Sequence, residues 1–288
     1  MFNAILVPLD GSPLAEQALP VAARLARAAG ATLHLAHVHV PASPRPISIE
    51  GLPVIDQELH SLAAEHERVY LERAAASVAG AGLRTVTARL ASDGPVAGAL
   101  CAYAREAKAD LIVMTTHGRS GFAHMWLGSV AEALVHATCA PLLLLRPDEA
   151  GAVPHRPLRR VLAPLDGSAA AEEVLPYAAA IAGLAGGELV LAQLVAGGAH
   201  EAGAAEGYLG RVAAGLAPAR AFPVVREAGH AAEGVIALAD ELGADMVALT
   251  THGRTAAPRA ALGGVADRVL RAVALPLLVL RPSGPAAR

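Results

Sequence analysis

Aromatic side chains, cysteines and surplus charge are all scarce in this chain of 288 residues. Phe, Trp and Tyr make up 3% of it, too few for the stacking platforms that bind single-stranded nucleic acids. The 23 Lys and Arg residues are balanced by 26 Asp and Glu residues. A formal net charge of -3 argues against a nucleic-acid-binding or membrane-surface protein. Two cysteines are too few for a disulfide framework or a four-cysteine zinc site.

Signals for secretion and membrane insertion are not evident either. Residues 1–6 lack a basic region and lead directly to Pro8 and Asp10, unlike a signal peptide. No stretch approaches the roughly 20 apolar residues that span a bilayer. Hydrophobic residues nevertheless form 54% of the chain and charged residues 17%, which is enough apolar material for buried cores. We therefore expect a globular, cytoplasmic protein.

The chain contains an internal repeat. The segment Leu6–Ser12 (LVPLDGS) returns 156 positions later as Leu162–Ser168 (LAPLDGS). Asp110–Arg119 (DLIVMTTHGR) returns 135 positions later as Asp245–Arg254 (DMVALTTHGR). The second copy is thus 21 residues shorter, and the loss falls in a connection between the two matched segments. The predicted organisation is a first domain over residues 1–147, a linker over 148–157, a second domain over 158–282 and a tail over 283–288.

Short apolar runs alternate with longer, alanine-rich helical stretches in both copies. Ser12 suits the N-cap of the first helix, Pro13 its first turn and Gly30 its end. Leu142–Leu145 does not alternate with polar residues, which is typical of a parallel strand covered on both faces. The order predicts two tandem doubly wound α/β domains, each with a five-stranded parallel sheet. Predicted strands lie at 3–9, 32–40, 84–90, 110–116, 141–146, 160–165, 189–195, 222–228, 245–251 and 276–281, with helices at 13–29, 54–80, 95–108, 128–137 and, shortened in the second copy, 206–217.

Two segments at predicted strand ends carry the candidate chemistry, because open parallel sheets bind ligands beyond those ends. Asp10 follows the first strand, and its carboxylate suits a ribose hydroxyl or a Mg²⁺ ion. Because Ser12 already caps the helix, Asp10 is not needed as the cap. After the fourth strand, Gly118 is followed by nine residues and then by Gly128 and Ser129, which open the next helix. The backbone N–H groups of such a helix start attract phosphate. The Ser129 hydroxyl and the Arg119 charge would add to that attraction.

These residues resemble the phosphate motif of the universal stress protein family, G-x-x-G followed by nine residues and G-S or G-T. Both copies carry Thr in place of the first glycine, at Thr115 and Thr250. Gly264 replaces the Ser or Thr hydroxyl in the second copy, so we expect a weaker second site. The resemblance extends from Met1 to Pro282 and is closest to a tandem member of the ATP-binding type. It implies a Rossmann-like, adenine nucleotide alpha hydrolase-like fold.

The resemblance implies an ATP site in each copy. The aspartate after the first strand would contact ribose and Mg²⁺, the end of the second strand adenine, and the loop and helix start the phosphates. In the first copy the implied residues are Pro8, Leu9, Asp10, His37, Val38, Met114, Thr115, Gly118, Arg119, Gly128, Ser129 and Val130, with Asp10 the candidate Mg²⁺ ligand. In the second they are Pro164, Leu165, Asp166, Leu194, Val195, Leu249, Thr250, Gly253, Arg254, Gly263, Gly264 and Val265.

The histidines allow other interpretations. Two-residue periodicity places His37 and His39 on one face of a strand and His34 on the other. No acidic or cysteine partner is close in sequence, so a zinc site is disfavoured against histidines satisfied in the core or beside adenine. His117 and His252 could be general bases, but no nucleophile accompanies them, and packing over a strand end is favoured.

The apolar segments Ala140–Leu145 and Leu275–Leu280 are predicted edge strands, which must be covered or paired. In the family that the chain resembles, the fifth strands of two domains pair, so we expect an intrachain pseudo-dimer here. A homodimer of two chains is a further hypothesis.

Cys101 and Cys139 are predicted to be small core residues.

The leading hypothesis is an ATP-binding protein with a nucleotide-dependent regulatory role in stress response and no robust catalysis. One alternative is a nucleotide-free interaction or dimerisation module. Another is a slow ATPase that uses Asp10 and Mg²⁺, which is disfavoured because no water-activating residue is evident beside the phosphate loop.

Overall fold

A computed structural model describes residues 2–40, 48–49, 52–53, 57–80, 82–92, 94–116, 127–137, 139–148, 150–252 and 262–282. The first copy comprises β1 (Ala4–Leu9), α1 (Pro13–Glu16), α2 (Leu19–Ala29), β2 (Thr32–His39), β3 (Ser48–Ile49), β4 (Leu52–Pro53), α3 (Gln57–Ser77), β5 (Arg84–Ala91), α4 (Val96–Glu106), β6 (Leu111–Thr115), α5 (Ser129–His136) and β7 (Leu142–Leu145). The second comprises β8 (Arg160–Pro164), α6 (Ala169–Glu172), α7 (Leu175–Leu184), β9 (Glu188–Val195), α8 (Ala199–Gly215), β10 (Ala221–Glu227), α9 (Ala231–Glu241), β11 (Met246–Thr250), α10 (Gly264–Ala272) and β12 (Leu277–Leu280). None of the described helices is both long and apolar enough to span a membrane.

The two copies share one ten-stranded sheet with the order β10-β9-β8-β11-β12-β7-β6-β1-β2-β5. The five strands of each copy are parallel to one another. The copies join through β7 and β12, which pair antiparallel with Leu143 opposite Leu278. This arrangement confirms the predicted α/β fold and the predicted intrachain pairing of the last strands. The short hairpin of β3 and β4 was not predicted.

Each face of the sheet carries one hydrophobic core that runs through both copies. Because strand side chains alternate between faces, Leu143 and Leu278 belong to the core under α2, α3, α7 and α8. Leu144 and Leu277 belong to the core under α4, α5, α9 and α10. The two repeats are therefore packed as one body around their shared strands.

The predicted helix over 13–29 is divided into α1 and α2. Pro20 has no N–H to donate to the carbonyl of Glu16, so an uninterrupted helix would lose that hydrogen bond. The predicted start and end are confirmed. The Ser12 Oγ accepts from the Ala15 N–H at 3.1 Å, and Gly30 ends α2 in the left-handed region with φ 68°.

The shortening of the second copy falls mainly in one connection. Residues 40–56 connect β2 to α3, whereas only residues 196–198 connect β9 to α8. The second helix of the second copy was predicted over 206–217. Its predicted start was wrong, because the corresponding helix α8 begins at Ala199. Gly197 and Gly198, with φ 132° and 99°, turn the chain directly into α8. The other predicted strands and helices agree with the structure to within three residues at each end.

The linker between the copies lies against α1 and α2. The Gln17 side chain donates to the Gly151 carbonyl at 2.9 Å and accepts from the Val153 N–H at 2.5 Å. Arg24 donates to the Arg156 carbonyl at 3.0 Å. Val153 is buried. The linker is thus part of the packed structure.

The two cysteines are bonded to each other, which corrects their prediction as separate small core residues. Cys101 of α4 forms a disulfide with Cys139, which precedes β7, and their Cα atoms are 5.2 Å apart. Cys101 is buried as predicted. The 38-residue separation along the chain concealed the pairing, because proximity depends on how α4 packs beside α5 and the segment that follows it. At the spacing of the repeat, the second copy has Ile236 and Ala274 instead.

Candidate functional site

A cavity of about 710 Å³ opens at the carboxyl ends of the strands in the first copy. Its volume is in the range of small-molecule sites. It is lined by the ends of β1, β2 and β6, by α3 and α4, and by the start of α5. The predicted residues that the structure brings together here are Pro8, Leu9, Asp10, His37, Val38, Met114, Thr115, Gly128, Ser129 and Val130. The predicted residues Gly118, Arg119, Gly253 and Arg254 lie outside the described residues, as does His117.

Asp10 shapes the turn at the end of β1. Its Oδ1 accepts from the Ser12 N–H at 2.9 Å, whereas the side chain that caps the helix is that of Ser12, as predicted. The second copy repeats the bond between Asp166 and the Ser168 N–H at 3.0 Å. Gly11 occupies the left-handed region, with φ 85°. The turn fixes a carboxylate at the edge of the cavity.

The start of α5 is held against the end of β6. Gly128 is the N-cap, no side chain caps the helix, and the Gly128 N–H donates to the Thr116 carbonyl at 2.7 Å. In the second copy Gly263 donates likewise to the Thr251 carbonyl at 2.8 Å, and a Cβ on Gly263 would lie 3.1 Å from that oxygen. The glycine permits this close approach. In the first copy, Ser129 and Val130 follow Gly128 and line the cavity. They begin α5, and the dipole at the N-terminus of a helix favours an anion.

A partly buried polar cluster forms the α3 side of the cavity. The His39 Nδ1 lies 2.7 Å from the Glu67 Oε1, and the Arg89 Nε donates to the Glu67 Oε2. The His37 Nδ1 lies 2.9 Å from the Leu9 carbonyl oxygen, and its Nε2 lies 3.7 Å from the Glu67 Oε1. Burial raises the pKa of Glu67, but the bonds from His39 and Arg89 outweigh burial and hold that pKa below its usual range. Glu67 is therefore ionised at neutral pH.

Sequence reasoning missed Glu67 because it belongs to a helix far along the chain from the histidines. The predicted faces are confirmed: His37 and His39 face α3, whereas His34 bonds the Tyr103 hydroxyl of α4 at 3.0 Å. The available signal was a pair of histidines on one strand face, which requires a partner when buried. In the described part of the chain no group of three or more His, Cys, Asp or Glu residues could hold a metal ion.

Tyr70 completes this wall beside Asp10. Its ring meets the ring of His37 edge to face, with centroids 6.0 Å apart. Burial, reinforced by the negative charges of Glu16 and Asp10, raises the pKa of Tyr70 to about 12, although the Gly11 N–H opposes that shift. The phenol is therefore neutral at physiological pH.

Comparison with known proteins identifies the family. A sequence profile of the Universal stress protein family matches residues 1–146 and again residues 157–281. The chain belongs to the universal stress protein family.

Relatives of this universal stress protein cover one copy or the whole chain. Universal stress protein YxiE of Bacillus subtilis is 30% identical over 150 residues, which are 51% of this chain and 100% of the relative. A universal stress protein of Thermus aquaticus, named for its position in the QAH/OAS sulfhydrylase 3' region, is 34% identical over 146 residues, 51% of this chain and 100% of the relative. The crystal structure of a universal stress protein from Archaeoglobus fulgidus has a TM-score of 0.71 and 20% identity, and the match covers 98% of this chain and 100% of that one. This last similarity supports the tandem fold.

The second universal stress protein domain places its predicted residues at the equivalent edge. Asp166 follows β8, Leu194 and Val195 end β9, Leu249 and Thr250 end β11, and Gly263, Gly264 and Val265 begin α10. Thr250 donates its hydroxyl to the His252 carbonyl at 2.8 Å. The His252 Nδ1 lies 2.9 Å from the Thr251 hydroxyl. A cavity of about 520 Å³ in this copy lies elsewhere, between α7 and α8.

The second copy lacks the polar cluster around Glu67. Pro164 pairs with Ala192 as Pro8 pairs with Ala36, which fixes the alignment of β9 with β2. The Tyr-Leu-x-Arg segments beginning at Tyr70 and Tyr208 align α3 with α8. By these alignments and the register of β10, the residues His37, His39, Glu67 and Arg89 correspond to Gln193, Val195, Ala205 and Val225. The fold therefore forms without the cluster.

Proposed function

We propose that the first copy binds an adenine nucleotide, with ATP as the principal ligand, and that binding gives the protein a regulatory role in stress response. The observation that supports this is the single cavity that joins the Asp10 carboxylate to the start of α5. Open parallel sheets bind nucleotides at such strand ends, with phosphates against a helix N-terminus. The cytoplasmic location belongs to the same proposal, as does a homodimer of two chains.

The lining of the cavity suits a nucleotide lying along it. Phosphates would lie at Ser129 and Val130, and the ribose would lie at Asp10. The apolar side chains of Val38, Leu100 and Met114 would contact the base. Mg²⁺ is commonly held by one or two carboxylates together with substrate phosphates, so the single carboxylate of Asp10 fits a Mg²⁺ ion delivered with ATP.

We favour binding over hydrolysis because the polar groups of the cavity wall are poor candidates for activating water. The Glu67 carboxylate is held by His39 and Arg89, which lower its pKa and its basicity. Tyr70 stays protonated, with a pKa of about 12. Asp10 with Mg²⁺ would support at most slow turnover, which is the alternative function.

The two copies offer a matched test. Ser129→Gly gives the first copy the residue of the second, and Gly264→Ser makes the reverse change. In calorimetric titrations with ATP and Mg²⁺ we expect Ser129→Gly to weaken the stronger site several-fold and Gly264→Ser to strengthen the weaker one. Gly128→Glu should abolish the stronger site, because it places charge and bulk at the phosphates. Gly263→Glu is its control and should leave that site unchanged.

Ligand carried through purification provides an independent measurement. Mass spectrometry of the supernatant after denaturation should detect ATP or AMP near one molecule per chain. No released nucleotide together with a flat titration would refute the proposal and favour the nucleotide-free interaction module. Unchanged binding by Gly128→Glu, with its fold verified by circular dichroism, would show that the site lies elsewhere.

A further inference from the structure

The hydrogen bond between His37 and Leu9 determines which ring nitrogen of His37 carries a proton. The Nδ1 lies 2.9 Å from the Leu9 carbonyl oxygen, which can only accept a hydrogen bond. The Nδ1 therefore carries the proton, and in the neutral ring the Nε2 is an acceptor. His37 is buried and lines the cavity.

A second acceptor lies close to this Nε2. The Glu67 Oε1 lies 3.7 Å away and belongs to an ionised carboxylate, because the bonds from His39 and Arg89 favour its charged form. Two lone pairs at this distance cannot bond to each other. The Glu67 Oε1 already accepts from the His39 Nδ1 at 2.7 Å and has a lone pair for one further bond. A donor with two N–H groups can therefore bond to both the Nε2 and the Oε1, and both residues line the cavity that we assign to the nucleotide.

The second copy shows that this pair is not required for folding. Gln193 and Ala205 occupy the corresponding positions, and β9 and α8 still pack in the same way as β2 and α3. Removing a carboxylate from water is unfavourable unless its partners compensate. The buried His37 and the partly exposed Glu67 both line the cavity at the strand ends of the first copy, and the second copy has neither residue, which indicates a contact with a ligand.

We propose that His37 and Glu67 recognise the exocyclic amino group of the bound base, so that the first copy prefers ATP to its 6-oxo analogue ITP. This inference rests on the proposed function. The 6-amino group carries two N–H donors, one for the His37 Nε2 and one for the Glu67 Oε1. The 6-oxo group of ITP is an acceptor and would face two further acceptors. Sites built to hydrogen-bond a substrate group discriminate strongly against analogues that lack it.

The test compares ATP with ITP, which differ in the group at position 6 of the purine and share ribose and phosphates. For the wild type we expect the Kd for ITP to exceed that for ATP by about tenfold or more, as the loss of hydrogen bonds to a charged group predicts. Glu67→Gln should reduce this preference at least about threefold, because the amide can turn its NH₂ toward the 6-oxo group. His37→Gln, which introduces the residue of the second copy, should reduce it similarly. Glu65→Gln is the control, since Glu65 is exposed on the same helix, and should preserve the preference.

The outcomes separate the inference from the function on which it rests. Equal affinities for ATP and ITP in the wild type would overturn the inference and leave nucleotide binding intact. Absence of binding by either nucleotide would overturn the proposed function as well. If Glu67→Gln and His37→Gln fold but weaken ATP and ITP equally, the pair has only a general structural role. If they instead change the ratio of ATP to 2'-deoxy-ATP affinity, the pair contacts the ribose and the inference is wrong.

Discussion

Leu143 of β7 lies opposite Leu278 of β12, and both side chains are fully buried in the antiparallel pair that joins the two copies. The same two leucines belong to the core that runs beneath helices of both repeats. A disturbance at this pair should therefore be felt by the whole chain and not by one copy alone.

Leu143→Ala tests this coupling. We expect a loss of about 2 to 5 kcal/mol in the free energy of unfolding, because the substitution leaves a cavity in a tightly packed core. Urea denaturation followed by circular dichroism should still show one transition, shifted to lower urea. Val86→Ala on the outer strand β5 is the control, since Val86 is 41% exposed, and should cost about 0.5 kcal/mol or less. Two separate transitions in Leu143→Ala would show that the copies unfold independently.

The disulfide between Cys101 and Cys139 should stabilise the first copy. A cross-link that closes a loop of 38 residues contributes about 3 to 4 kcal/mol by restricting the unfolded chain. Dithiothreitol should therefore lower the midpoint of urea unfolding for the wild type. The double variant Cys101→Ala/Cys139→Ala should be insensitive to the reductant. A wild type that unfolds identically with and without dithiothreitol would contradict the bond.

Glu67 should make the stability of the protein depend on pH in the acid range. Its pKa in the folded protein lies below the ordinary value of 4.5, so the folded state binds this proton less readily than the unfolded state. The carboxylate therefore stabilises the protein fully above pH 4.5, and that contribution is lost as the pH falls through the lower folded pKa.

Glu67→Gln removes this titration. At pH 7 we expect the variant to be less stable by about 1 to 3 kcal/mol, because His39 and Arg89 lose an ionised acceptor. Urea unfolding at pH 7 and at pH 3 should show the difference between wild type and variant shrinking at the lower pH. Glu106→Gln, on an exposed position of α4, is the control. A difference that grows on acidification would reverse the assigned direction of the pKa shift.

The sequence predicted the architecture well because its signals are local. The repeated Leu-Asp-Gly-Ser turns, the unbroken run Leu142–Leu145 and the cap at Ser12 each depend on residues close together in the chain. The start of α8 was mispredicted for an equally local reason. Gly203 weakens the helical pattern before position 206, although tertiary packing overrides its low propensity.

Long-range pairing limited what could be predicted about the site. Asp10, Gly128 and Ser129 followed from motifs, and the structure gathers them around one cavity. Glu67 meets the histidines, and Cys101 meets Cys139, only after helices have packed on the sheet. The histidine pair indicated that a partner was needed, but the sequence did not identify which residue it is. The bond that the Ser12 N–H donates to the Asp10 carboxylate was missed because a side chain can cap a helix while its neighbour shapes the preceding turn.

Covalent linkage of the copies has a consequence for assembly. Strands on one polypeptide meet at an effective concentration that the connecting segment sets, about millimolar for a short linker, whatever the abundance of the protein. The pairing of β7 with β12 should therefore persist on dilution and at any expression level. Because the two copies are on one chain, each always has the other available for strand pairing. Substitutions in the second copy that remove ligand contacts therefore need not disrupt the shared sheet. Fusion thus allows the structural role of a repeat, pairing with the other copy, to be retained independently of ligand binding.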